Sequence, residues 1–292
     1  MKNPVLPASG TFEINEMTKN YLDPGKLGAL INKTVFKNFR PGNDPPRIVE
    51  TSCGILNSVG IPSKGIEYFL EYDLKKLCSY DVPVIVSVAG ASIEEFSELV
   101  GMVSERGMGN FIELDLSCPN LEEEKIWATD ANLLFDLVKK AKKVSALPII
   151  AKLSPQVSDI AEIAAAAESA GADMIALINT IKGMKIDISK RKPFLGNLSG
   201  GLSGPAILPI AVYAVWEVYE AVSVPIIGMG GISNLESALE MIMAGASAVA
   251  VGMYNFVDPG FMLRLIDELD NYLLENKITN ISELVGLAHK GR

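Results

Sequence analysis

The sequence predicts a (β/α)₈ barrel. Short apolar runs, often opened by proline, alternate with longer segments of helical period, and eight such runs follow one another along the chain. Alternating strands and helices are typical of a parallel sheet, and nearly continuous apolar runs are typical of strands buried on both faces. The alternative, an open doubly wound sheet, is less favoured because no G-x-G-x-x-G motif opens a helix here.

Strands are predicted where apolar and β-branched residues are bounded by Pro, Gly, Ser or Asn. In chain order they are Pro4–Ser9, Gly28–Lys33, Pro83–Ala89, Phe111–Leu116, Pro148–Leu153, Asp173–Asn179, Pro225–Met229 and Ala246–Gly252. Helical segments lie between most of them, at Ser92–Val103, Ala131–Val144, Val157–Ala170, Pro205–Val222 and Leu235–Ala244. In the first of these helices, Ile93, Phe96 and Val100 recur at helical spacing and form one apolar stripe.

The composition fits one globular domain over residues 1–292. The chain is 49% hydrophobic and 21% charged, without a low-complexity linker, and α/β barrels often reach this length as a single domain. The net charge of −9 argues against a nucleic-acid partner, since phosphate binding needs clustered Lys and Arg. No apolar stretch reaches the roughly 18 residues of a membrane span, and the N-terminus lacks the apolar segment of a signal peptide.

The cysteines and the histidine restrict the chemistry further. Cys53, Cys78 and Cys118 are far apart and show no C-x-x-C spacing, which argues against a disulfide framework, a zinc site or an iron–sulfur cluster. Unpaired thiols fit a reducing compartment, so we expect a cytoplasmic protein. His289 is the only histidine. A general base is therefore expected to be Cys, Asp, Glu, Lys or Tyr.

Polar residues or glycines stand at the end of every predicted strand, and active sites of such barrels lie at the C-terminal ends of the strands. In strand order these residues are Ser9 and Gly10, Lys33 and Thr34, Ser87 and Gly90, Asp115 and Cys118, Lys152, Asn179 and Thr180, Gly230 and Gly231, and Gly252. Two lysines, an acid, a thiol and an amide would then converge on one mouth. The glycines after the last two strands suit a phosphate, which barrels often bind at these two loops.

Several longer motifs resemble a known family. NPVLPASGTF, INKT...FRPGNDPPR, ET..GILNSVGIP, SCPN, INT..GM.IDI..RKP, GGLSGPA and PIIGMGGI run in order from residue 3 to about residue 256. Together they resemble class 1 dihydroorotate dehydrogenase, most closely its 1B branch. The resemblance implies a barrel that carries one FMN at its mouth and oxidises (S)-dihydroorotate to orotate in de novo pyrimidine biosynthesis.

The resemblance also implies roles for individual residues. Cys118 matches the base that takes the C5 proton while a hydride passes from C6 to flavin N5. The substrate segments are matched by Lys33, Asn57, Ser58, Val59, Gly60, Ile61, Asp115, Asn120, Asn179 and Thr180. The FMN segments are matched by Ser9, Lys33, Thr34, Ser87, Asp115, Lys152, Ile178, Gly204, Gly230, Gly231, Gly252 and Met253. Lys152 is expected near the N1–C2 edge of the flavin, where it would stabilise the negative charge of the reduced form.

Three of these positions depart from the family pattern. Asp115 and Ser87 stand where the family has asparagines, Met253 replaces a threonine, and the segment LEEEKIWATD after SCPN is altered as well. An ionised Asp only accepts hydrogen bonds, whereas Asn also donates. A carboxylate about 4 Å from another negative charge costs roughly 4 kcal/mol at an effective dielectric of 20. Asp115 would therefore have to be protonated or paired, for instance with Lys33.

Two alternatives remain beside dihydroorotate oxidation. Asp115 favours a related FMN enzyme that acts on another dihydropyrimidine, whereas a non-catalytic flavin- or phosphate-binding barrel would not need Cys118. The 1B branch passes electrons to NAD through a second subunit with FAD and an iron–sulfur cluster. Because this chain has only three cysteines, we expect that partner to be a separate chain. We also expect a homodimeric core, and no membrane-binding extension of the class 2 kind.

Overall fold

Eight parallel strands form the wall of a barrel in the computed structural model of the chain, which describes residues 1–15, Thr18, 20–116 and 127–291. The strands are β1 Val5–Pro7, β2 Leu30–Ile31, β3 Val84–Val88, β4 Phe111–Asp115, β5 Ile149–Lys152, β6 Met174–Leu177, β7 Ile226–Met229 and β8 Ala248–Val251. Each pairs with the next from β2 to β8, and β8 pairs with β1. The Gly28 N–H donates to the Val5 carbonyl across the last gap, at 2.8 Å. The predicted (β/α)₈ barrel is confirmed.

Helices surround this wall. The first, α1, consists of Ile66–Tyr68, a π-helical turn Phe69–Asp73 and Leu74–Leu77; the others are α2 Ile93–Arg106, α3 Ala131–Val144, α4 Ile160–Ser169, α5 Leu208–Ala221, α6 Leu235–Met243, α7 Tyr254–Val257 and α8 Phe261–Glu275. Side chains cap several of them: Ser92, Asp130 and Asp159 each accept a backbone N–H at the start of a helix. No helix among the described residues is long and apolar enough to cross a membrane.

Alternation along the strands divides the buried side chains into two layers. One apolar cluster fills the lumen, with Leu6, Ile31, Ile85, Ile150 and Ile227 among its members. The other, much larger cluster lies between the strands and the helices. Because successive side chains of a strand point to opposite faces, every second residue of each strand faces the lumen. The strand ends at the C-terminal face therefore direct a ring of side chains into one mouth.

A second sheet, which the strand predictions missed, covers part of that mouth. We call it the mouth sheet; its antiparallel strands are Ile48–Thr51, Gly54–Asn57, Gly200–Ser203 and Ile181–Gly183, in spatial order. All four come from loops that follow barrel strands. A short hairpin, Ile186–Asp187 with Lys192–Pro193, extends from the same region. The motifs ET..GILN, INT..GM and GGLSG thus belong to one structural unit.

The packing between β3, β4 and the helices predicts the cost of a core mutation. Phe96 on α2 is fully buried and stacks edge-on against Trp127, with ring centroids 6.1 Å apart. We expect Phe96→Ala to lower the free energy of unfolding by about 3–5 kcal/mol, because it leaves a cavity that the surrounding core cannot close. Phe39→Ala is the matched control, since Phe39 is 72% exposed. Urea denaturation of both variants measures the difference, and equal losses would contradict the described packing.

Candidate active site

Four polar side chains occupy the lumen at the C-terminal ends of β3, β4 and β5. Ser87, Glu113, Asp115 and Lys152 are all at most 5% exposed. The strand register places Ser87 beside Glu113 and Asp115 beside Lys152. Glu113 and Asp115 alternate with Ile112 and Leu114, which pack in the outer layer, so both carboxyls point inward. We call these four residues the lumen cluster.

One ammonium faces two carboxyl groups in the lumen cluster. The Lys152 Nζ atom lies 3.7 Å from Asp115 Oδ2 and 3.8 Å from Glu113 Oε1. Burial raises the pKa of the Glu113 carboxyl well above its usual range; Lys152 opposes this shift, and the neighbouring charge of Asp115 adds to it. A buried charge needs a partner. Among the described residues, Lys152 is the cation that pairs with Asp115, whereas the charges that act on the pKa of Lys33 are those of Glu13 and Arg47.

Hydroxyl groups connect the two carboxyls on their other side. Ser87 Oγ lies 2.9 Å from Glu113 Oε1 and 2.9 Å from Thr34 Oγ1. Thr34 Oγ1 in turn lies 3.3 Å from Asp115 Oδ2 and 3.1 Å from Ser9 Oγ. The Ser9 hydroxyl donates to the Asn32 carbonyl at 2.8 Å. Three of the predicted cofactor residues, Ser9, Thr34 and Ser87, therefore form one hydrogen-bonded chain with the lumen cluster.

Asparagines from two neighbouring elements border this cluster. The Asn179 side-chain amide lies 3.5 Å from Asp115 Oδ1, and Asn179 Oδ1 accepts the Thr180 N–H at 2.7 Å. Asn57, on the mouth sheet, donates to the Gly201 carbonyl at 3.3 Å. Asn57 and Asn179 are half-buried. Side-chain amides both donate and accept, which suits a planar ring with alternating N–H and C=O groups.

The segment from Ser58 to Ile61 is held by an asparagine from the preceding loop. The Asn43 side-chain amide donates to Ser58 Oγ at 2.9 Å. A Cβ on Gly60, which has φ +75°, would lie 2.5 Å from the Asn43 backbone nitrogen, so only glycine fits there. This segment therefore approaches the loop before it closely, and its backbone has a defined position beside the strand that carries Asn57.

Lys33 is exposed to solvent at the end of β2. The surrounding protein atoms displace enough water to lower the pKa of its ammonium; Glu13 opposes this shift, and Arg47 adds to it. The ammonium form of Lys33 carries the positive charge that an anionic ligand needs. Lys152 supplies buried positive charge at the same mouth, so the two lysines differ in depth and in exposure.

Glycines lie at the end of β7 and before α5. Gly204, Gly230 and Gly231 all have positive φ, and a Cβ on any of them would come within 2.8 Å of another atom. At Gly204 the close neighbours include the Met253 side chain, and at Gly230 they include Ile178. Gly252 has room around it, since only Ala8 lies within 4 Å of its Cβ position. Bare backbone beside a helix start and two strand ends can hold an anion such as phosphate.

Some predicted site residues lie outside the described residues. These are Cys118, Asn120 and most of LEEEKIWATD. Of that last segment, Trp127–Thr129 forms a 3₁₀ turn, and Trp127 is buried against Phe96 in the outer layer. Trp127 thus packs in the core rather than at the mouth.

Glu113 is the functional residue that the sequence reasoning missed. It stands two positions before Asp115 in the strand FIELD. Residues two apart on a strand share a face, so Glu113 enters the same lumen as Asp115. An ionisable residue at the centre of an apolar strand was the available signal, because such residues are seldom buried without a partner.

Comparison with known proteins agrees with the geometry. A family model described as dihydroorotate dehydrogenase matches residues 1–273. A protein of Desulforudis audaxviator named dihydroorotate dehydrogenase B (NAD(+)), catalytic subunit, is 48% identical over 291 residues, 99% of this chain and 95% of that protein. Its namesake in Carboxydothermus hydrogenoformans is 48% identical over 292 residues, 100% of this chain and 95% of that protein. A crystal structure of DHODH from Eimeria tenella in complex with ferulenol has a TM-score of 0.80 at 23% identity, and covers 98% of this chain and 85% of that one.

The charge balance of the lumen cluster predicts the effect of removing its cation. We expect Lys152→Met to lower the free energy of unfolding by about 3–5 kcal/mol, because Glu113 and Asp115 then face each other without the ammonium between them. Lys140→Met is the matched control. It breaks an exposed pair with Glu94, 2.6 Å apart, and should cost less than about 1 kcal/mol. Urea denaturation without added ligand compares the two, and a Lys152→Met protein as stable as the control would refute the ion cluster.

Proposed function

We propose that this chain, which belongs to the class 1B branch of the dihydroorotate dehydrogenase family, works with FMN at the barrel mouth and Cys118 as base. As a member of that family, it is an enzyme that oxidises dihydroorotate in pyrimidine biosynthesis. The observation that carries this proposal is the buried Lys152 ammonium, held in the lumen at the end of β5 between two carboxyls. A fixed cation at that depth suits a flavin, whose reduced form is anionic.

The described residues fit FMN. Gly204, Gly230 and Gly231 offer backbone without side chains, as a phosphate group requires. Ser9, Thr34 and Ser87 offer linked hydroxyls next to the carboxyls that face Lys152, and both kinds of group lie at the C-terminal face. Ile178, Gly252 and Met253 complete the proposed cofactor set. When bound, FMN supplies an acceptor for the hydride that leaves the substrate.

The substrate is proposed to lie between the asparagines and Lys33. Asn57, Asn120, Asn179 and Thr180 would bind the N–H and C=O edges of the ring, and the loop Ser58–Ile61 would approach it with backbone groups. Lys33 would neutralise the substrate carboxylate. Cys118 would take the C5 proton. An unperturbed cysteine thiol has a pKa of about 8.5, so only a small fraction of such thiols is ionised at neutral pH. The reaction should therefore accelerate as the pH rises toward that value.

Electron transfer is proposed to involve a second chain. The relatives are named catalytic subunits of NAD(+)-type enzymes, and three cysteines are too few for an iron–sulfur cluster in this chain. We propose a separate FAD and iron–sulfur subunit, a homodimeric catalytic core and a cytoplasmic location. Free thiols at Cys53 and Cys78 agree with a reducing compartment.

The purified protein tests the cofactor, the substrate and the base together. We expect a yellow protein whose flavin absorbance is bleached by dihydroorotate without oxygen. Cys118→Ser should keep the yellow colour and be bleached about 10²–10⁴-fold more slowly, because a hydroxyl is a far weaker base. Cys78→Ser is the control and should be bleached at the wild-type rate. A colourless protein would refute flavin binding, whereas equal rates in both variants would refute Cys118 as the base.

Asp115 is proposed to lower the reduction potential of the flavin, since its carboxylate offsets the Lys152 ammonium. Asp115→Asn removes the carboxylate at the strand end, so that the remaining negative charge lies two residues deeper, on Glu113. The reduction potential of the flavin should then rise by roughly 20–60 mV, which corresponds to about 1–3 kcal/mol for a two-electron couple. A redox titration against a dye of known potential measures this, and dihydropyrimidines without the carboxylate test substrate choice in the same variant. An unchanged potential with an unchanged substrate profile would refute this role of Asp115.

A further inference from the structure

The lumen cluster and the neighbouring hydroxyls of Thr34 and Ser9 make more hydrogen-bond contacts than their three hydroxyls have protons. A hydroxyl carries one proton and can donate once. The Ser9 proton goes to the Asn32 carbonyl at 2.8 Å. Two hydroxyl protons, those of Ser87 and Thr34, then remain for four contacts: Ser87 to Glu113, Thr34 to Asp115, Thr34 to Ser87, and Thr34 to Ser9 at 3.1 Å.

Two ionised carboxylates would leave the contact between Ser87 and Thr34 without a proton. Carboxylates only accept, so Ser87 would donate to Glu113 and Thr34 would donate to Asp115. The two hydroxyl oxygens would then stand 2.9 Å apart with no hydrogen between them. One additional proton, carried by either carboxyl, supplies the three contacts that join the carboxyls through Ser87 and Thr34. The Ser9 oxygen is held in either case by the Thr34 N–H, which donates to it at 3.1 Å.

We propose that Glu113 and Asp115 share a single proton through the hydroxyls of Ser87 and Thr34, which form a relay between them. With the proton on Glu113, its O–H donates to Ser87, Ser87 donates to Thr34 and Thr34 donates to the Asp115 carboxylate. With the proton on Asp115, all three hydrogen bonds reverse. The transfer breaks the O–H bond of one carboxyl and forms the O–H bond of the other, so one negative charge moves along the relay and the total charge is unchanged.

The surrounding charges agree with one proton for two carboxyls. Among the described residues, the charged groups that act on Glu113 are Lys152 from β5 and Asp115 from its own strand, while β3 contributes the neutral Ser87. One ammonium balances one carboxylate, so among the described residues a doubly ionised pair would carry more negative charge than Lys152 neutralises. Burial favours the neutral form of Glu113. The resting proton is therefore placed on Glu113, and the carboxylate on Asp115.

The relay would respond to charge at the mouth. Asp115 ends β4, whereas Glu113 lies two residues deeper in the same strand. This part rests on the proposed flavin site: negative charge on a reduced flavin would repel the Asp115 carboxylate and draw the proton from Glu113 to Asp115. The negative charge would then retreat into the lumen, while Lys152 stays within reach of both carboxyls. Glu113 is in this scheme a positioning residue that acts through Asp115.

Infrared spectroscopy of the protein without added flavin tests the shared proton. We expect one C=O stretching band of a buried protonated carboxyl at neutral pH. Glu113→Gln should lose the band. Asp115→Asn should lose it as well, because Glu113 must then ionise to balance Lys152. Glu50→Gln is the control, since Glu50 is exposed on the mouth sheet, and it should keep the band at full intensity.

Two outcomes would overturn the shared proton. A band that survives in Asp115→Asn would mean that Glu113 holds a proton of its own, and a wild-type protein without the band would mean that both carboxyls are ionised. Thermal unfolding of each variant establishes that it is folded before its spectrum is compared.

The movement of the proton is tested separately in the flavin-loaded protein. The carboxyl band should shift in frequency when dithionite reduces the flavin, and Thr34→Val should abolish the shift while keeping the band. A shift that persists in Thr34→Val would refute the relay. A protein that binds no flavin would instead refute the proposed function, and would leave the result on the shared proton intact.

Discussion

The burial of one ammonium beside two carboxyls is the constraint on which the mouth of this barrel depends. Lys152, Glu113 and Asp115 can enter the lumen only together, because a lone buried charge would cost several kcal/mol. Strand register decides that they meet, since Asp115 pairs with Lys152 across β4 and β5. A slip of one residue would turn this set toward the outer apolar layer. The chemistry of the mouth is thus a consequence of sheet pairing.

The mouth sheet fixes the polar residues that the barrel strands do not carry. Gly201 pairs with Asn57, and a Cβ on Gly201 would lie 2.0 Å from Thr180 Oγ1. A side chain there would push Thr180 away, so glycine allows the strand Gly200–Ser203 to lie directly against it. Residues proposed to bind the substrate therefore stand on a hydrogen-bonded sheet rather than on isolated loops. Such support keeps polar groups in place for a planar ligand.

The eight barrel strands could be predicted because buried parallel strands are continuous apolar runs, and every observed barrel strand lies inside its predicted range. The helix Ala131–Val144 was predicted with the same limits. The mouth sheet was missed because its strands are short, contain glycines and pair with partners far along the chain. Lys152 and Asp115 were expected at the mouth from their strand ends, whereas their contact required the register.

Ser87 and Asp115, two departures from the family pattern, meet through Thr34. An asparagine at 87 would offer an amide, which cannot pass on a proton as a hydroxyl does. With Asp115 present, two carboxyls would then face Lys152 without a path for a common proton. With Ser87 present and an asparagine at 115, Glu113 would be the only acid left and would need no relay. The proposed proton relay therefore needs both a hydroxyl at position 87 and a carboxyl at position 115, so the two departures constitute one physical change.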